Sequence, residues 1–254
     1  MDGTGLDGRS VIVTGAGSGI GRATALRFAA AGAQVLITDL DGDRAKSALA
    51  EVEETGATAA TVVGDIGDPA VIERIATTAA ERFGGIDVLV NNAGIMDGMA
   101  AAADVPAEVW DSVLRVNLTA PFLLARAVLP HMVAAGRGAI VNTASEAGLR
   151  GGASGTAYTA SKHGVIGLTR SLAVMYRDAG IRTNAIAPGG TNTGISPDID
   201  FEAHGPSAIM PYMAAMGRVA EPEEQAAAIA FLASDAASNI NGVVLPVDNG
   251  WAAA

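Results

Sequence analysis

Short apolar runs rich in β-branched residues alternate with stretches of helical character along most of the chain. Residues 10–14 (SVIVT) precede a helical pattern over 20–32 (IGRATALRFAAAG), and 34–39 (QVLITD) precede another over 43–56. The alternation continues with strand character at 58–64, a helix at about 69–83, a strand at 86–91, a long helix from Pro106 to about Ala135 and a strand at 139–145. A helix over about 157–178, a strand at 181–187, a helix over 221–234 and a last strand at 243–247 complete the series. The strand runs are nearly continuous in Val, Ile and Leu, so both faces of each must be covered. That predicts an α/β fold, a doubly wound parallel sheet with helices on each side. No Pro/Ser-rich linker, charge block or repeat divides residues 1–254, and a single domain is expected. Sheets of this kind take ligands beyond the C-terminal ends of their strands, which directs attention to the loops that follow each strand.

After the first strand comes TGAGSGIG, with Gly15, Gly19 and Gly21 spaced GxxxGxG and with Ser18 and Ile20 between them. The spacing is not the strict GxGxxG, but the physics is shared: a tight turn, close approach of backbone to a pyrophosphate, and a helix N-terminus that favours an anion. A glycine-rich turn serving only local packing would read alike. Asp39 ends the second strand, 18 residues beyond Gly21. A carboxylate there can accept hydrogen bonds from the ribose hydroxyls of adenosine and repels the additional phosphate of NADP. No Lys or Arg stands at Ser18 or Leu40, so NAD is expected in preference to NADP. Asp41 and Asp43 are read as surface or capping residues. Asp65, followed by Ile66, and NNAG (Asn91, Asn92, Ala93, Gly94) fall at the same end of the sheet, where small and amide residues suit an adenine edge and a ribose; turn chemistry would select the same residue types.

The stretch 158–162 reads YTASK, and on a helix Tyr158 and Lys162 share one face, one turn apart. A phenol with a pKa near 10 is a poor base at neutral pH; it must fall by roughly two to three units, or about 3 to 4 kcal/mol. A cation about 4 Å away at an effective dielectric near 20 supplies on the order of 4 kcal/mol. Lys162 is one of only two lysines against fourteen arginines. A compact ammonium with three rotatable donors can address a phenol, a sugar hydroxyl and a water at once, which a planar guanidinium cannot. Ser145, thirteen residues before Tyr158, ends the fifth strand and is placed to hydrogen-bond a substrate oxygen. Asn117 interrupts the apolar VLRVNLTAPF; its amide either holds a water next to Lys162 or is a satisfied core amide.

Composition narrows the class. Net charge is -11, which opposes nucleic acid or an anionic membrane as partner. There is no cysteine, which fits a reducing cytoplasm and removes thiolate metal sites. The acidic start MDGTGLDGRS lacks the basic and apolar regions of a signal peptide. No uninterrupted apolar run approaches roughly 18 to 20 residues, and a soluble protein is expected. His131, His163 and His204 are scattered without ligand spacing, so no metal is expected.

Taken together, these motifs resemble the short-chain dehydrogenase/reductase family over essentially the whole length. TGAGSGIG resembles its cofactor loop, NNAG its structural motif, and Asn117, Ser145, Tyr158 and Lys162 its catalytic tetrad in order and spacing. PGGTNT (188–193) resembles the family's PGxxxT segment, which brings Pro188, Gly189, Thr191 and Thr193 to the cofactor, Thr193 at the nicotinamide carboxamide. The ending VLPVDNG resembles the family tail, with Asn249 in place of the usual glycine. The resemblance implies a Rossmann-type sheet of order 3-2-1-4-5-6-7, hydride transfer at nicotinamide C4 between a secondary alcohol and a ketone, Tyr158 as acid/base, Lys162 also gripping the nicotinamide ribose, and a homotetramer. A 3-oxoacyl-thioester reductase is the rival within that chemistry, and a nucleotide-binding sensor without turnover is a rival from outside it; a sensor would not need all four groups. The least regular segment, about 190–217, is expected to cover the cleft as a lid. Met96 and Met210 are candidate substrate contacts, as are Ser145, Tyr158 and Glu146, the last an awkward carboxylate beside the serine. The three-residue spacing of Met210, Met213 and Met216 also suits ordinary packing. With no basic cluster beyond Arg150 and Arg218, a neutral, fairly apolar substrate is favoured.

Overall fold

The computed structural model describes residues 4–195 and 199–253; positions 196–198 of the expected lid, like 1–3 and 254, lie outside the described residues. The chain runs β1 (Ser10–Thr14), α1 (Gly19–Ala30), β2 (Gln34–Asp39), α2 (Gly42–Glu54), β3 (Ala59–Val63), α3 (Pro69–Phe83), β4 (Val88–Asn91), α4 (Ala107–Leu114) and α5 (Ala120–Ala135). It continues with β5 (Gly138–Thr143), α6 (Thr156–Tyr176), β6 (Ile181–Pro188), α7 (His204–Met213), α8 (Pro222–Ala233) and β7 (Val244–Val247). All seven strands join one parallel sheet in the order β3-β2-β1-β4-β5-β6-β7.

Alternate residues of a strand point to opposite faces. Val11, Val13, Val35, Ile37, Val90 and Val141 face Phe28 of α1, Val52 of α2 and Ile229 of α8. Ile12, Leu36, Leu89 and Ile140 face the other way, onto Ile75 of α3 and Leu124 and Val128 of α5. Every one of these side chains is buried, which is why the runs carry no polar alternation. Between the layers a polar chain crosses the core. Asn91 Nδ2 donates to Asn142 Oδ1 (2.9 Å), Asn142 Nδ2 to Thr169 Oγ1 (2.9 Å), and Thr169 Oγ1 to the Val165 carbonyl (2.8 Å). It joins β4, β5 and α6 in one register.

Two expectations are corrected. The run from Pro106 to Ala135 is not a uniform α-helix: Arg115–Thr119 is π-helical. Pro121 has no N–H to give the carbonyl of Asn117 four residues earlier, so the ladder widens there. By length and composition Ala107–Ala135 is apolar enough to cross a membrane, with mean hydropathy 1.4, yet Leu124, Val128 and Met132 lie buried against the sheet and α3. The segment expected to be irregular contains α7, in which Pro206 and Pro211 obscure the helical pattern.

The sheet order reverses between β1 and β4. The loops after those two strands diverge and leave a crevice at the C-terminal edge, which is the geometric reason a site forms there.

Candidate active site

The crevice opens into a cleft of about 740 Å³. One half is lined by Gly15, Ser18, Gly19 and Ile20 after β1, Asp39 and Leu40 after β2, Asp65 and Ile66 after β3, Asn92, Ala93 and Gly94 after β4, and Pro188, Gly189, Thr191 and Thr193 after β6. Gly21 lies beneath this loop and does not line the cleft; a Cβ there would collide with the Gly15 carbonyl and the Asn92 amide. Its role is close packing. Ser18 makes no side-chain cap on α1, so the first N–H groups of that helix are free to face the cleft. Asn92 serves the scaffold as well as the lining: its Nδ2 donates to the Thr14 carbonyl (3.0 Å), while the backbone N–H groups of Asn92 and Ala93 both donate to Thr14 Oγ1 (2.9 and 3.0 Å). Asp65 is tied by the Gly67 N–H and by Arg115, both at 2.8 Å. The Arg115 guanidinium helps to hold the Asp65 carboxyl below its usual range, although partial burial works against that.

Asp39 Oδ2 accepts from Gly17 N–H (2.8 Å) and Oδ1 from Asp41 N–H (3.0 Å), which leaves lone pairs on both oxygens for a diol. These groups fit a dinucleotide: an open helix N-terminus for the pyrophosphate and a fixed carboxylate for a ribose. Arg44 was missed in the sequence. It lines the cleft beside Asp39 from the first turn of α2, its guanidinium 3.5 Å from the carboxylate of Asp41. The only signal was its position five residues past Asp39.

The other half gathers Ser145, Tyr158 and Lys162. Lys162 Nζ donates to the Thr143 carbonyl (2.8 Å) and lies 5.4 Å from the centre of the Tyr158 ring. The Ser145 hydroxyl favours the ionised form of the neighbouring Tyr158 phenol, and Ser145 Oγ accepts from Ala147 N–H (3.1 Å). Asn117 does not line the cleft. Its Oδ1 accepts from Ile95 N–H (2.9 Å) and its Nδ2 donates to the Ile95 carbonyl (2.9 Å) and Ser161 Oγ (3.1 Å). The amide is therefore fully engaged with protein and has no donor left for the expected water. It fastens the loop after β4 to α6.

A family model described as enoyl-(acyl carrier protein) reductase matches residues 15–252. The 3beta-hydroxysteroid dehydrogenase 2 of Eggerthella lenta is 40% identical over 250 residues, 98% of this chain and 96% of that protein. The crystal structure of levodione reductase superposes with a TM-score of 0.88 at 40% identity, covering 98% of this chain and 99% of the other. The chain belongs to the short-chain dehydrogenase/reductase family. A candidate NAD(P) dependent gluconate 5-dehydrogenase from Beutenbergia cavernae, with NADP bound at low occupancy, is 42% identical with a TM-score of 0.86 and 98% of each chain covered. This dehydrogenase is accordingly an NAD(P)-dependent oxidoreductase of CH–OH groups, interconverting secondary alcohol and ketone.

The electrostatics of the dehydrogenase differ from the expectation of a lysine-acidified phenol. Burial pushes the Tyr158 phenol up to about 12, with the Ser145 hydrogen bond opposing and the Asp97 charge adding to the rise. Burial likewise brings the Lys162 ammonium down to about 8. Lys162 gives one donor to a backbone carbonyl and stands beside the ring, and burial outweighs its influence, so the protonated phenol, a donor, is favoured.

Two proposed substrate contacts are corrected. Met210 points away, half exposed, because α7 turns Met213 and only the following Met216 toward the cleft. Glu146 is 1% exposed and faces away from the cleft, 3.1 Å from Arg150 Nε. Arg150 in turn donates to the Trp251 carbonyl (2.7 Å) and lies 5.6 Å from the centre of its ring. Met96 does line the cleft, as do Met99 and Trp251. Burial, then the neighbouring Asp248 carboxyl, push Glu146 up to about 7, with Arg150 opposing. Neighbouring carboxylates repel one another and a buried charge is penalised, so the protonated form of Glu146 is favoured. The unfolded chain releases this proton near 4.5 and the folded chain near 7, so the stabilising contribution is complete below the lower value and is lost as pH rises through the upper one. Glu146→Gln should therefore flatten the decline in Tm across that window. Differential scanning fluorimetry over the same range would show parallel curves for the two proteins if Glu146 did not hold the proton.

Proposed function

We propose that the enzyme oxidises a neutral, apolar secondary alcohol and reduces the corresponding ketone, prefers NAD to NADP, and uses Tyr158 as the proton donor and acceptor. The observation that carries this reading is the gathering of Ser145, Tyr158 and Lys162 at the floor of an apolar pocket, with the buried Lys162 ammonium 5.4 Å from the centre of the Tyr158 ring. A nicotinamide dinucleotide held by the first half of the cleft would supply or accept the hydride at its C4. In reduction, Tyr158 gives its proton to the ketone oxygen while the Ser145 hydroxyl donates a hydrogen bond to the same atom as charge develops there. Alcohol oxidation reverses the transfer: the phenolate must form first, and Lys162 stabilises it. Two of the three ammonium donors remain after the bond to Thr143, enough for a ribose hydroxyl and the phenol.

Substrate class follows from the walls. Ile95, Met96, Met99, Ala153, Met213, Met216 and Trp251 line this half, and Lys162 is its only cation among the described residues. Arg150 is engaged by Glu146 and Trp251, and Arg218 by Glu224. A phosphopantetheine thioester would find no free cation in this half of the cleft among the described residues, which disfavours the 3-oxoacyl-thioester reading. The steroid alcohol in the name of the Eggerthella relative is of the favoured kind. For the cofactor, the support is the Asp39 carboxylate at the ribose position, with Arg44 directed to Asp41 instead of the cleft centre. Phe122, Val133, Val174 and Met175 are large apolar side chains exposed on α5 and α6. They support a homotetramer of the kind the family resemblance implied, and a chain without cysteine suits a reducing cytoplasm.

Tyr158→Phe should lower kcat by about 10² to 10⁴-fold with NAD affinity retained, measured by absorbance of reduced nicotinamide and by calorimetry; unchanged turnover would end the mechanism. Lys162→Arg should also be inactive, since the larger, planar cation cannot occupy the same buried position. In thermal-shift titrations NAD should stabilise more than NADP, and the reverse order would overturn the role given to Asp39. Multi-angle light scattering should return four times the 25.3 kDa chain mass, and a monomer would refute the assembly.

A further inference from the structure

The mechanism leaves unused one buried carboxylate, Asp97, in the loop after β4. It is 6% exposed and lies between Met96 and Met99, both of which line the cleft. Helix α6 begins with Gly155 as its N-cap, a residue with no side chain to satisfy the free N–H groups of the first turn. Asp97 provides what Gly155 lacks: its Oδ2 accepts from the N–H of Tyr158, the third residue of the helix, at 3.0 Å. A Cβ on Gly155 would collide with the Asp97 carboxylate, so glycine at the cap is what admits it. Positive φ at Gly98 (68°) and Met99 (61°) turns the loop back on itself. That turn brings the Ala100 carbonyl to the N–H of Thr156 (3.0 Å), and Ala100 N–H closes onto the Asp97 carbonyl (3.3 Å). The first and third N–H groups of α6 are thus both held by this one loop. A left-handed methionine is strained backbone, retained only where its surroundings impose it. The second Asp97 oxygen, Oδ1, takes no hydrogen bond among the described residues, so the negative charge at the start of α6 is only partly offset.

We propose that Asp97 is the positioning residue for Tyr158: across 61 residues of sequence it caps the helix that carries the phenol and sets its height against Ser145. The proposal rests on the reading of Tyr158 as the proton carrier. Three polar groups face the phenol: the Lys162 ammonium from the same helix, the Ser145 hydroxyl from the loop after β5, and Asp97 from the loop after β4. Ala147, Ala153, Met213, Met216 and Trp251, packed around it from the remaining elements, carry no charge. Asp97 and Ser145 therefore oppose one another, the first disfavouring and the second favouring the phenolate. The carboxylate raises the pH at which the phenolate forms, and with it the pH at which alcohol oxidation becomes fast.

The test uses the holoenzyme with saturating NAD. Only three tyrosines are present, so Tyr176→Phe with Tyr212→Phe leaves Tyr158 as the single phenol whose tyrosinate absorbance can be titrated. In that background Asp97→Asn, which keeps an acceptor for the Tyr158 N–H but removes the charge, should move both the tyrosinate absorbance and the rising limb of alcohol oxidation to lower pH. Asp97→Ala, which removes the cap as well, should lower kcat by on the order of tenfold to a hundredfold with NAD affinity unchanged. A folded Asp97→Asn protein whose two curves superimpose on the parent would overturn the proposal, as would an Asp97→Ala protein that loses thermal stability alone. If Asp97→Ala does not fold, the asparagine variant decides by itself. Were Tyr158 not the proton carrier, Tyr158→Phe would keep its turnover while the absorbance shift in Asp97→Asn persisted, which separates the two failures.

Discussion

A single buried bond, from the Lys162 ammonium to the Thr143 carbonyl, holds the proposed catalytic geometry together. It links the middle of α6 to the last residue of β5, so the serine that follows that strand and the tyrosine one turn earlier on that helix meet. A charge taken out of water is tolerated only with such a partner, and burial has already drawn the ammonium down to about 8. The polar chain through Asn91, Asn142 and Thr169 fixes the same two elements deeper in the core. Asn117 and Asp97 then bind the loop after β4 to the start of the same helix. Four separate anchors converge on α6, which leaves the phenol little freedom to move relative to the sheet.

Anchoring by side chain to backbone recurs on the cofactor side. Thr14 receives two N–H groups from the loop after β4 and gives its own carbonyl to Asn92; Asp39 receives Gly17. Loops without regular structure are thereby pinned to the strands they extend. The residues available to a dinucleotide need not be ordered when it arrives, which lowers the entropy lost on binding.

The fold was legible because a doubly wound sheet writes itself into the chain as uniformly apolar strands, and Ile12 and Val13 packing on opposite faces shows the cause. The positions of Ser145, Tyr158 and Lys162 at one end of that sheet were legible for the same reason: strand ends and helix starts are local signals. Contacts between loops were not. Glu146 follows Ser145 directly, yet the chain turns there into a short 3-10 segment that directs its carboxyl toward Arg150 and Asp248. Spacing identified Met210 with Met213 and Met216, but the direction of α7 decides which of them reach the cleft. The engagement of Asn117 depends on Ile95 approaching from another strand end, which has no sequence signature. Asp97 gave no signal at all, since a lone aspartate after NNAG is indistinguishable from a turn residue until Gly155 is seen beside it.

Sulfur chemistry follows from the lining of the cleft. With no thiol anywhere in the chain, thioethers are its most readily oxidised side chains, and four of the eight methionines, Met96, Met99, Met213 and Met216, face the cleft. Conversion to sulfoxide would turn greasy, pliant walls into polar, chiral ones while sparing most of the interior. Peroxide damage would thus strike substrate recognition well ahead of folding, and the lesion is of the kind that sulfoxide reductases reverse.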